Sequence, residues 1–309
     1  MADKGPLWTV ALAPALLALL AMAALTWDRV LLDRASGRVV SGSTLARPLQ
    51  EIGGLLVQQR RTVLAADSLL WRLGGASLAV AAVLAVLVVP LGDRPITDLS
   101  IGVVWFNAME VIGWAALWMA GWGANSVVGL VGGYRFVVQG LAYELPHMFA
   151  LITAALGAGS LRVGDIVAAQ EGLWFVVWMP VAFAAYLLSA VALSFCGPFD
   201  QPVGRELSGG VAAELSGVDR LVFSGGRYLL LTVAAAMAVP LFLGGGGGPL
   251  LPAWLWVLLK TVAVLGTVVW VRHRLPTIRL DRFTEVGCVV LIPLTLAQAF
   301  VVSVVELVR

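Results

Sequence analysis

The chain has 309 residues, of which 60% are hydrophobic and only 12% are charged. Soluble domains carry about 25% charged residues, so this composition indicates an integral membrane protein. The formal net charge of +2 is too small to indicate a nucleic-acid partner.

Cofactor-binding residues are scarce. The two cysteines, Cys196 and Cys288, and the two histidines, His147 and His273, are too few and too widely spaced for a metal cluster, a haem site or a disulfide framework. Five glycines at 244–248 have no strand before them and no Lys-Ser/Thr after them, which indicates a flexible turn rather than a phosphate-binding loop. We therefore expect no metal site and no covalently bound cofactor in this chain.

Apolar segments follow one another along the whole chain, and most of them are long enough to cross about 30 Å of hydrocarbon as helices. They cover residues 7–27, 69–89, 101–122, 132–156, 173–195, 228–243, 253–271 and 286–308. The pattern predicts an all-α integral membrane protein with eight transmembrane helices. The longest connection has about 40 residues, which is too short for a core of its own, so we expect a single membrane domain.

The first connection, residues 28–68, contains a predicted helix. Leu49, Ile52, Leu55 and Leu56 recur near helical spacing in this otherwise polar segment. This pattern predicts a short helix that lies at the membrane interface, with a solvated loop as the alternative.

The arginines are distributed asymmetrically. The first, fifth and seventh connections hold thirteen of them, whereas the other side of the predicted bundle holds Lys4, Arg94, Arg162 and Arg309. Short loops rich in Lys and Arg stay cytoplasmic. We therefore expect connections 28–68, 123–131, 196–227 and 272–285 on the cytoplasmic side and both termini on the outer side.

Three ionisable residues lie inside apolar segments: Glu110, Glu144 and Lys260. A charge in the middle of a bilayer costs several kcal/mol, so these side chains are expected to face the bundle interior or a hydrated cavity. Buried titratable groups of this kind are typical of a proton relay. The alternatives are a structural ion pair, such as Glu144 with Arg135, and a lysine whose charged end reaches the interface.

The most polar stretch between two apolar segments is the loop 196–227. It holds four acidic residues and three arginines, which are Asp200, Glu206, Glu214, Asp219, Arg205, Arg220 and Arg227. We therefore expect the functional site of the protein where this loop meets the membrane.

Several motifs resemble those of one membrane protein family. The matching stretches are Asp98-Leu99-Ser100-Ile101-Gly102, residues 120–126, Leu141-Ala142-Tyr143-Glu144, Pro198-Phe199-Asp200-Gln201-Pro202, residues 214–217, Gly248-Pro249-Leu250-Leu251-Pro252, Leu259-Lys260-Thr261 and residues 272–281. From Asp98 onward the chain resembles the H subunits of NADH:quinone oxidoreductase, or complex I. This family is shared with the membrane anchors of membrane-bound nickel–iron hydrogenases.

The resemblance implies a place under the iron–sulfur arm of a respiratory complex in a bacterial-type plasma membrane. Its implied partners are the soluble quinone-module subunits on the cytoplasmic side, small and antiporter-like membrane-arm subunits, and the lipid bilayer. Quinone would be the substrate of the assembly, with iron–sulfur clusters in partner subunits only. The chain would not be an enzyme alone.

The charges inside the apolar segments and the resemblance together give candidate roles for individual residues, although Glu110 has no match in the family pattern. Candidates for the quinone chamber are Arg29, Gln50, Phe223 and Tyr228. Candidates for proton relay and coupling are Glu144, Glu110, Glu206, Glu214, Arg135 and Lys260. Candidates for the loops and docking are Asp200, Arg205, Arg220, Arg227, Arg272, Arg274, Arg279 and Asp281.

The chain departs from the family pattern in its acidic residues. The family reads Pro-Phe-Asp-x-Pro-Glu-Ala-Glu-x-Glu-Leu after the fifth span, whereas this chain has Val203, Gly204 and Arg205 before Glu206. Arg227 replaces the family's glutamate before Tyr228.

Three functions therefore stay open: a coupling subunit of a quinone-reducing proton pump, a hydrogenase anchor without a quinone chamber, and a docking scaffold with a vestigial proton path. A secondary transporter is disfavoured because the two halves of the chain show no repeated pair of broken helices.

Overall fold

Helices make up most of the chain in the computed structural model, which describes residues 8–92 and 96–308. The helices in order are α1 (Trp8–Ala35), α2 (Gly42–Val57), α3 (Ser68–Val86), α4 (Gly102–Gly123), α5 (Val127–Ala158), α6 (Val163–Ala168), α7 (Phe175–Trp178), α8 (Pro180–Leu193), α9 (Gly217–Phe242), α10 (Ala253–Arg274), α11 (Leu280–Val286) and α12 (Ile292–Val308). Lys4, Arg94, Arg309 and the side chain of Arg205, all named above, lie outside the described residues.

Within residues 8–92 and 96–308, seven helices are long and apolar enough to cross a membrane. They are α1, α3, α4, α5, α9, α10 and the continuous segment Leu280–Val308, in which a π-helical stretch at Gly287–Leu291 joins α11 to α12. The predicted class, an all-α integral membrane protein that crosses the bilayer several times, is confirmed.

The fifth predicted span, residues 173–195, is broken into α7 and α8 at Met179 and Pro180. Proline has no N–H to continue a helix, so the break leaves backbone groups without helical partners. The side chain of Gln298 in α12 provides hydrogen-bond partners for two of these groups. Its Nε2 donates to the carbonyl of Trp178 at 3.2 Å, and its Oε1 accepts from the N–H of Val181 at 3.3 Å.

Of the helices that extend beyond the predicted hydrophobic spans, α1 and α9 extend furthest. α1 continues to Ala35 and α9 begins at Gly217, whereas the apolar segments end at 27 and begin at 228. The extra turns contain charged residues, so hydropathy detects only the apolar part of each helix. The predicted helix of the first connection is present as α2, and it packs against α1 and α9.

Small residues let the central helices approach closely. At Gly74 of α3, an added Cβ would lie 2.5 Å from the backbone nitrogen of Ala120 in α4. At Gly123 of α4, it would lie 2.6 Å from the backbone nitrogen of Trp71. Such contacts are typical of helix pairs in membranes, where lipid provides no hydrophobic force to bring helices together.

Alternate connections meet at opposite ends of the bundle. At one end, the polar end, residues 58–67, 124–126, 195–216 and 275–279 contact each other. The N–H of Arg61 donates to Ser216 Oγ at 2.6 Å, and the N–H of Ile278 donates to the carbonyl of Pro198 at 2.9 Å. At the opposite end, Arg162 pairs with Asp98 at 2.9 Å.

Candidate functional site

A cavity of about 570 Å³ lies between α1, α2, α9 and α10, near the polar end. Its apolar wall is formed by Ala18, Ala21, Met22, Leu25, Pro48, Ile52, Leu55, Leu221 and Leu229. Its polar wall is formed by Asp28, Arg29, Glu51, Arg220, Ser224, Arg227, Tyr228 and Arg272. A cavity with one apolar and one hydrogen-bonding side can bind an amphipathic molecule in a fixed orientation.

Asp28 is the centre of the polar wall. It is only 5% exposed, although it carries a carboxylate. Its Oδ2 accepts a hydrogen bond from the Tyr228 hydroxyl at 3.1 Å, and its Oδ1 lies 3.1 Å from Arg272 Nη1 and 2.8 Å from His273 Nε2. Partners from α9 and α10 thus compensate the burial of this carboxylate of α1.

Arg29 and Arg227 also line the cavity and hold neighbouring segments together. Arg29 forms an ion pair of 2.7 Å with Glu51, which joins α1 to α2. Arg227 donates to the carbonyls of Ser194, at 3.1 Å, and Phe195, and its guanidinium lies 4.9 Å from the centre of the Phe195 ring. The side chain of Arg227 is therefore directed towards the start of the loop 196–216.

The structure brings only two of the four predicted quinone-chamber residues to this cavity. Arg29 and Tyr228 line it. Gln50 is exposed on α2, because the cavity face of that helix is formed by Pro48, Glu51 and Ile52. Phe223 is buried in the core against Phe195, with ring centres 5.5 Å apart, because it lies on a different face of α9 from Tyr228.

A second polar group lies inside the helical bundle. Glu110 of α4 is 1% exposed, and its Oε2 lies 2.7 Å from Nε2 of His147 in α5, which is 2% exposed. The imidazole stacks on Tyr186 of α8, with ring centres 4.9 Å apart. Glu144, 8% exposed, precedes His147 by three residues on α5 and interacts electrostatically with both members of the pair.

Glu144 differs from the other buried acids in its surroundings. Among the described residues, neither of its carboxylate oxygens has a hydrogen-bond partner by geometry, although Asn107 of α4 lies beside it. One oxygen of Glu110 and Nδ1 of His147 are likewise buried without a partner there. Unpartnered polar atoms are costly in an apolar bundle, so this group of atoms is a candidate for chemistry that requires exchangeable protons.

The suggested structural pair of Glu144 with Arg135 does not form. Arg135 lies near the start of α5 and binds Glu206 at 2.9 Å and the carbonyl of Gln201 at 3.3 Å. The nine residues between Arg135 and Glu144 correspond to about 13 Å along a helix, which places them at different depths. Arg135 therefore attaches the loop 196–216 to α5.

Lys260 contacts backbone carbonyls rather than carboxylates. Its ammonium donates to the carbonyls of Leu243 at 2.7 Å, Gly245 at 3.0 Å and Gly247 at 2.8 Å. It also lies 4.1 Å from the centre of the Trp174 ring. These contacts fold the glycine run around the lysine at the end opposite the polar end, so the run is an ordered loop and the structure does not join Lys260 to Glu110 and Glu144.

The remaining loop and docking residues lie at or near the polar end. Glu214 pairs with Arg61 at 2.9 Å, and Arg279 pairs with Asp281 at 3.3 Å. Arg274 lies 5.1 Å from the Trp270 ring. Arg220 is exposed at the cavity, and the carbonyl of Asp200 accepts from Val203 in the first turn of the loop.

Four residues of these sites were not predicted: Asp28, Glu51, His147 and His273. The signals for two of them were present in the sequence. Asp28 directly follows the first apolar segment, and His147 lies inside the fourth, three residues after Glu144. The histidines were weighed only as metal ligands, and the described residues contain no group of three His, Cys, Asp or Glu side chains placed to hold a metal ion.

The fold and the two sites define a multi-pass membrane protein that has a cavity near its polar end and a buried group of acidic residues inside the bundle. A family model described as NADH dehydrogenase matches residues 8–303. The chain therefore belongs to the NADH dehydrogenase family.

The chain is similar to curated H subunits of NADH-quinone oxidoreductases. The NADH-quinone oxidoreductase H subunit 2 of Geobacter sulfurreducens is 36% identical over 281 residues, which cover 87% of this chain and 85% of the relative. The H subunit 1 of Geobacter metallireducens is 35% identical over 289 residues, 90% of this chain and 88% of the relative. The H subunit of Bacillus thuringiensis is 31% identical over 268 residues, 85% of this chain and 80% of the relative. The resemblance to these H subunits is confirmed.

Proposed function

We propose that the chain is the H-type membrane subunit of a complex I-like respiratory oxidoreductase. In this role it docks the soluble redox arm, helps to form the quinone chamber, and couples quinone reduction to proton translocation. The observation that carries the proposal is the cavity of about 570 Å³ with Asp28, Tyr228 and Arg272 on its polar wall. The H subunits among its relatives belong to NADH-quinone oxidoreductases.

The shape and chemistry of the cavity suit a quinone. A quinone has an isoprenoid tail that needs apolar surface and a headgroup whose two carbonyls accept hydrogen bonds. The apolar lining residues of α1, α2 and α9 supply the first, and the arginines of the lining supply donors for the second. Electrons that reach the headgroup create negative charge beside Asp28 until protons are taken up. The surrounding arginines respond to this change in charge.

The polar end is the proposed docking surface for soluble subunits with iron–sulfur clusters. It carries exposed arginines, among them Arg220, Arg274 and Arg279. The arginine asymmetry of the chain supports a cytoplasmic position for this end, with both termini on the outer side. The lipid-facing helices leave surface for the other membrane-arm subunits.

The proposed coupling elements are Glu110 and Glu144. Both are acids within the membrane-spanning part and both have buried oxygens without a partner among the described residues. Glu206 and Glu214 form ion pairs with Arg135 and Arg61 at the polar end, and we assign them the docking-loop end of the coupling path. The alternative of a scaffold with a vestigial proton path predicts that these acids are dispensable for proton movement.

A photoreactive quinone tests the cavity. We expect it to label the parts of α1, α2 and α9 that line the cavity in the isolated complex. Gly225→Phe should fill the cavity, because Gly225 lines it and has open space around its Cα, and should lower labelling and quinone reductase activity about tenfold.

The matched control is Gly266→Phe in α10, which also has open space but lies outside this cavity, and which should leave both measurements unchanged. Labelling confined to other helices would contradict the quinone assignment. If a nickel-binding subunit then co-purified with the chain, the hydrogenase-anchor function would replace it.

A further inference from the structure

A histidine lies between the two buried acids of the bundle. Nε2 of His147 is 2.7 Å from Glu110, whereas Nδ1 is buried and has no partner among the described residues. Glu144, three residues earlier, lies on the same face of α5, since residues three apart on a helix are neighbours. The electrostatic partners of the imidazole are Glu110 and Glu144.

We propose that His147 shuttles a proton between Glu144 and Glu110. This inference rests on the proposed proton relay and adds a residue to it. Imidazole is suited to the task because one nitrogen can accept a proton while the other donates one. A carboxylate pair without this ring would have to exchange protons directly across two helices.

The transfer has two balanced steps. A proton leaves the Glu144 carboxyl group, directly or through one water, and bonds to Nδ1, so an O–H bond breaks and an N–H bond forms. The Nε2 proton of the resulting imidazolium then bonds to Oε2 of Glu110, so an N–H bond breaks and an O–H bond forms. A second transfer in the same direction requires that Glu110 passes its proton on, that Nδ1 gives its proton to a water and that Nε2 takes a proton from a water, which restores the original tautomer.

The surroundings hold the ring in place for this transfer. Tyr186 stacks on the imidazole and is itself fixed by a hydrogen bond of 2.8 Å from its hydroxyl to the carbonyl of Ala234. The titratable groups that interact with this site from the packed helices are Glu110 of α4, Glu144 and Tyr143 of α5, and Tyr186 of α8. The Tyr143 hydroxyl accepts a hydrogen bond from Trp114 Nε1 at 3.0 Å, and of these groups the two acids are the electrostatic partners of the imidazole.

The test is His147→Gln in the assembled complex. Glutamine can keep a donor near Glu110 but cannot titrate, so we expect quinone reductase activity to persist while proton translocation falls at least about tenfold. Glu171→Gln, at an exposed position outside this group, is the control, with translocation expected to be unchanged.

The outcomes separate this inference from the proposed function. Normal translocation with His147→Gln or His147→Asn, combined with loss in Glu144→Gln, would overturn the histidine shuttle and leave the relay intact. Normal translocation in all three variants would overturn both. If the histidine variants do not assemble, infrared difference spectra of the unmodified complex with ring-labelled histidine decide: an imidazole band change on quinone reduction supports the shuttle, and no change overturns it.

Discussion

Most acids inside this protein have a basic partner from another part of the fold. Asp28 binds Arg272 and His273, Asp33 binds Arg47 at 3.2 Å, and Glu110 binds His147. Glu144 departs from this pattern because both of its oxygens lack a geometric partner among the described residues. Burying a carboxylate without a hydrogen-bond partner costs free energy. The presence of Glu144 in the bundle is therefore better explained by proton chemistry than by a contribution to stability.

Replacing Glu144 by glutamine tests this explanation. The shape is kept and the titratable group is lost, so we expect the complex to assemble and reduce quinone while proton translocation falls at least about tenfold. Proton movement into membrane vesicles, measured with a pH-sensitive dye, reports the result. Glu171→Gln, at an exposed position, serves as the control, and undiminished translocation in Glu144→Gln would favour the scaffold function.

Residue-level predictions from the sequence were right about burial and incomplete about partners. The cost of a charge in a bilayer was enough to place Glu110 and Glu144 in the interior. Pairs such as Arg135 with Glu206 join positions far apart in the chain, and only the packing of the loop against α5 decides them. The same holds for Phe223 and Tyr228, whose separation depends on which face of α9 meets α1.

At the scale of helices, the apolar segments predicted the seven long spans well because length and hydropathy depend on local sequence. The ends of α1 and α9 were missed because those turns are polar and are stabilised by contacts at the polar end. Pro180 indicates in the sequence that the helix is broken between α7 and α8. The sequence does not indicate that Gln298 of α12 bonds the backbone at this break. Close helix contacts at glycines likewise depend on which helices are neighbours.

The contact between α3 and α4 gives a prediction at this scale. Gly74→Ala should destabilise the protein by about 1–3 kcal/mol, because the new methyl group overlaps the backbone of Ala120 and the helices must separate. Gly266→Ala, in open space on α10, should be neutral or slightly stabilising, since alanine favours helix over glycine. Thermal denaturation of the purified complex measures both, and equal stability of the two variants would contradict the close packing.

At the scale of the whole molecule, the arginine distribution and the meeting of alternate connections agree on two distinct ends. The polar end collects the first, third, fifth and seventh connections, as expected for helices that cross the membrane alternately. The sequence could predict this arrangement because charge counts do not depend on packing. It could not predict the cavity, which is formed by four helices from both halves of the chain.

The side of the membrane on which each end lies can be tested with single introduced cysteines. The background is Cys288→Ser, in which the remaining Cys196 is buried. Ser36→Cys lies in the first connection and Gly172→Cys lies at the opposite end, and both positions are exposed. A membrane-impermeant thiol reagent should modify Gly172→Cys in intact cells and Ser36→Cys only in inverted vesicles. The opposite pattern would place the polar end, and the docking surface with it, outside the cell.

The contacts of Gln298 have a consequence for how the protein is made. The backbone groups at the break between α7 and α8 acquire these partners from α12, at Gln298, which follows them by 117 and 120 residues in the chain. Until α12 is synthesised, a growing chain holds a fifth segment whose peptide groups are incompletely bonded in a medium without water. α12 therefore completes a span that entered the membrane three crossings earlier, so the middle of the protein reaches its folded state only after α12 has joined it.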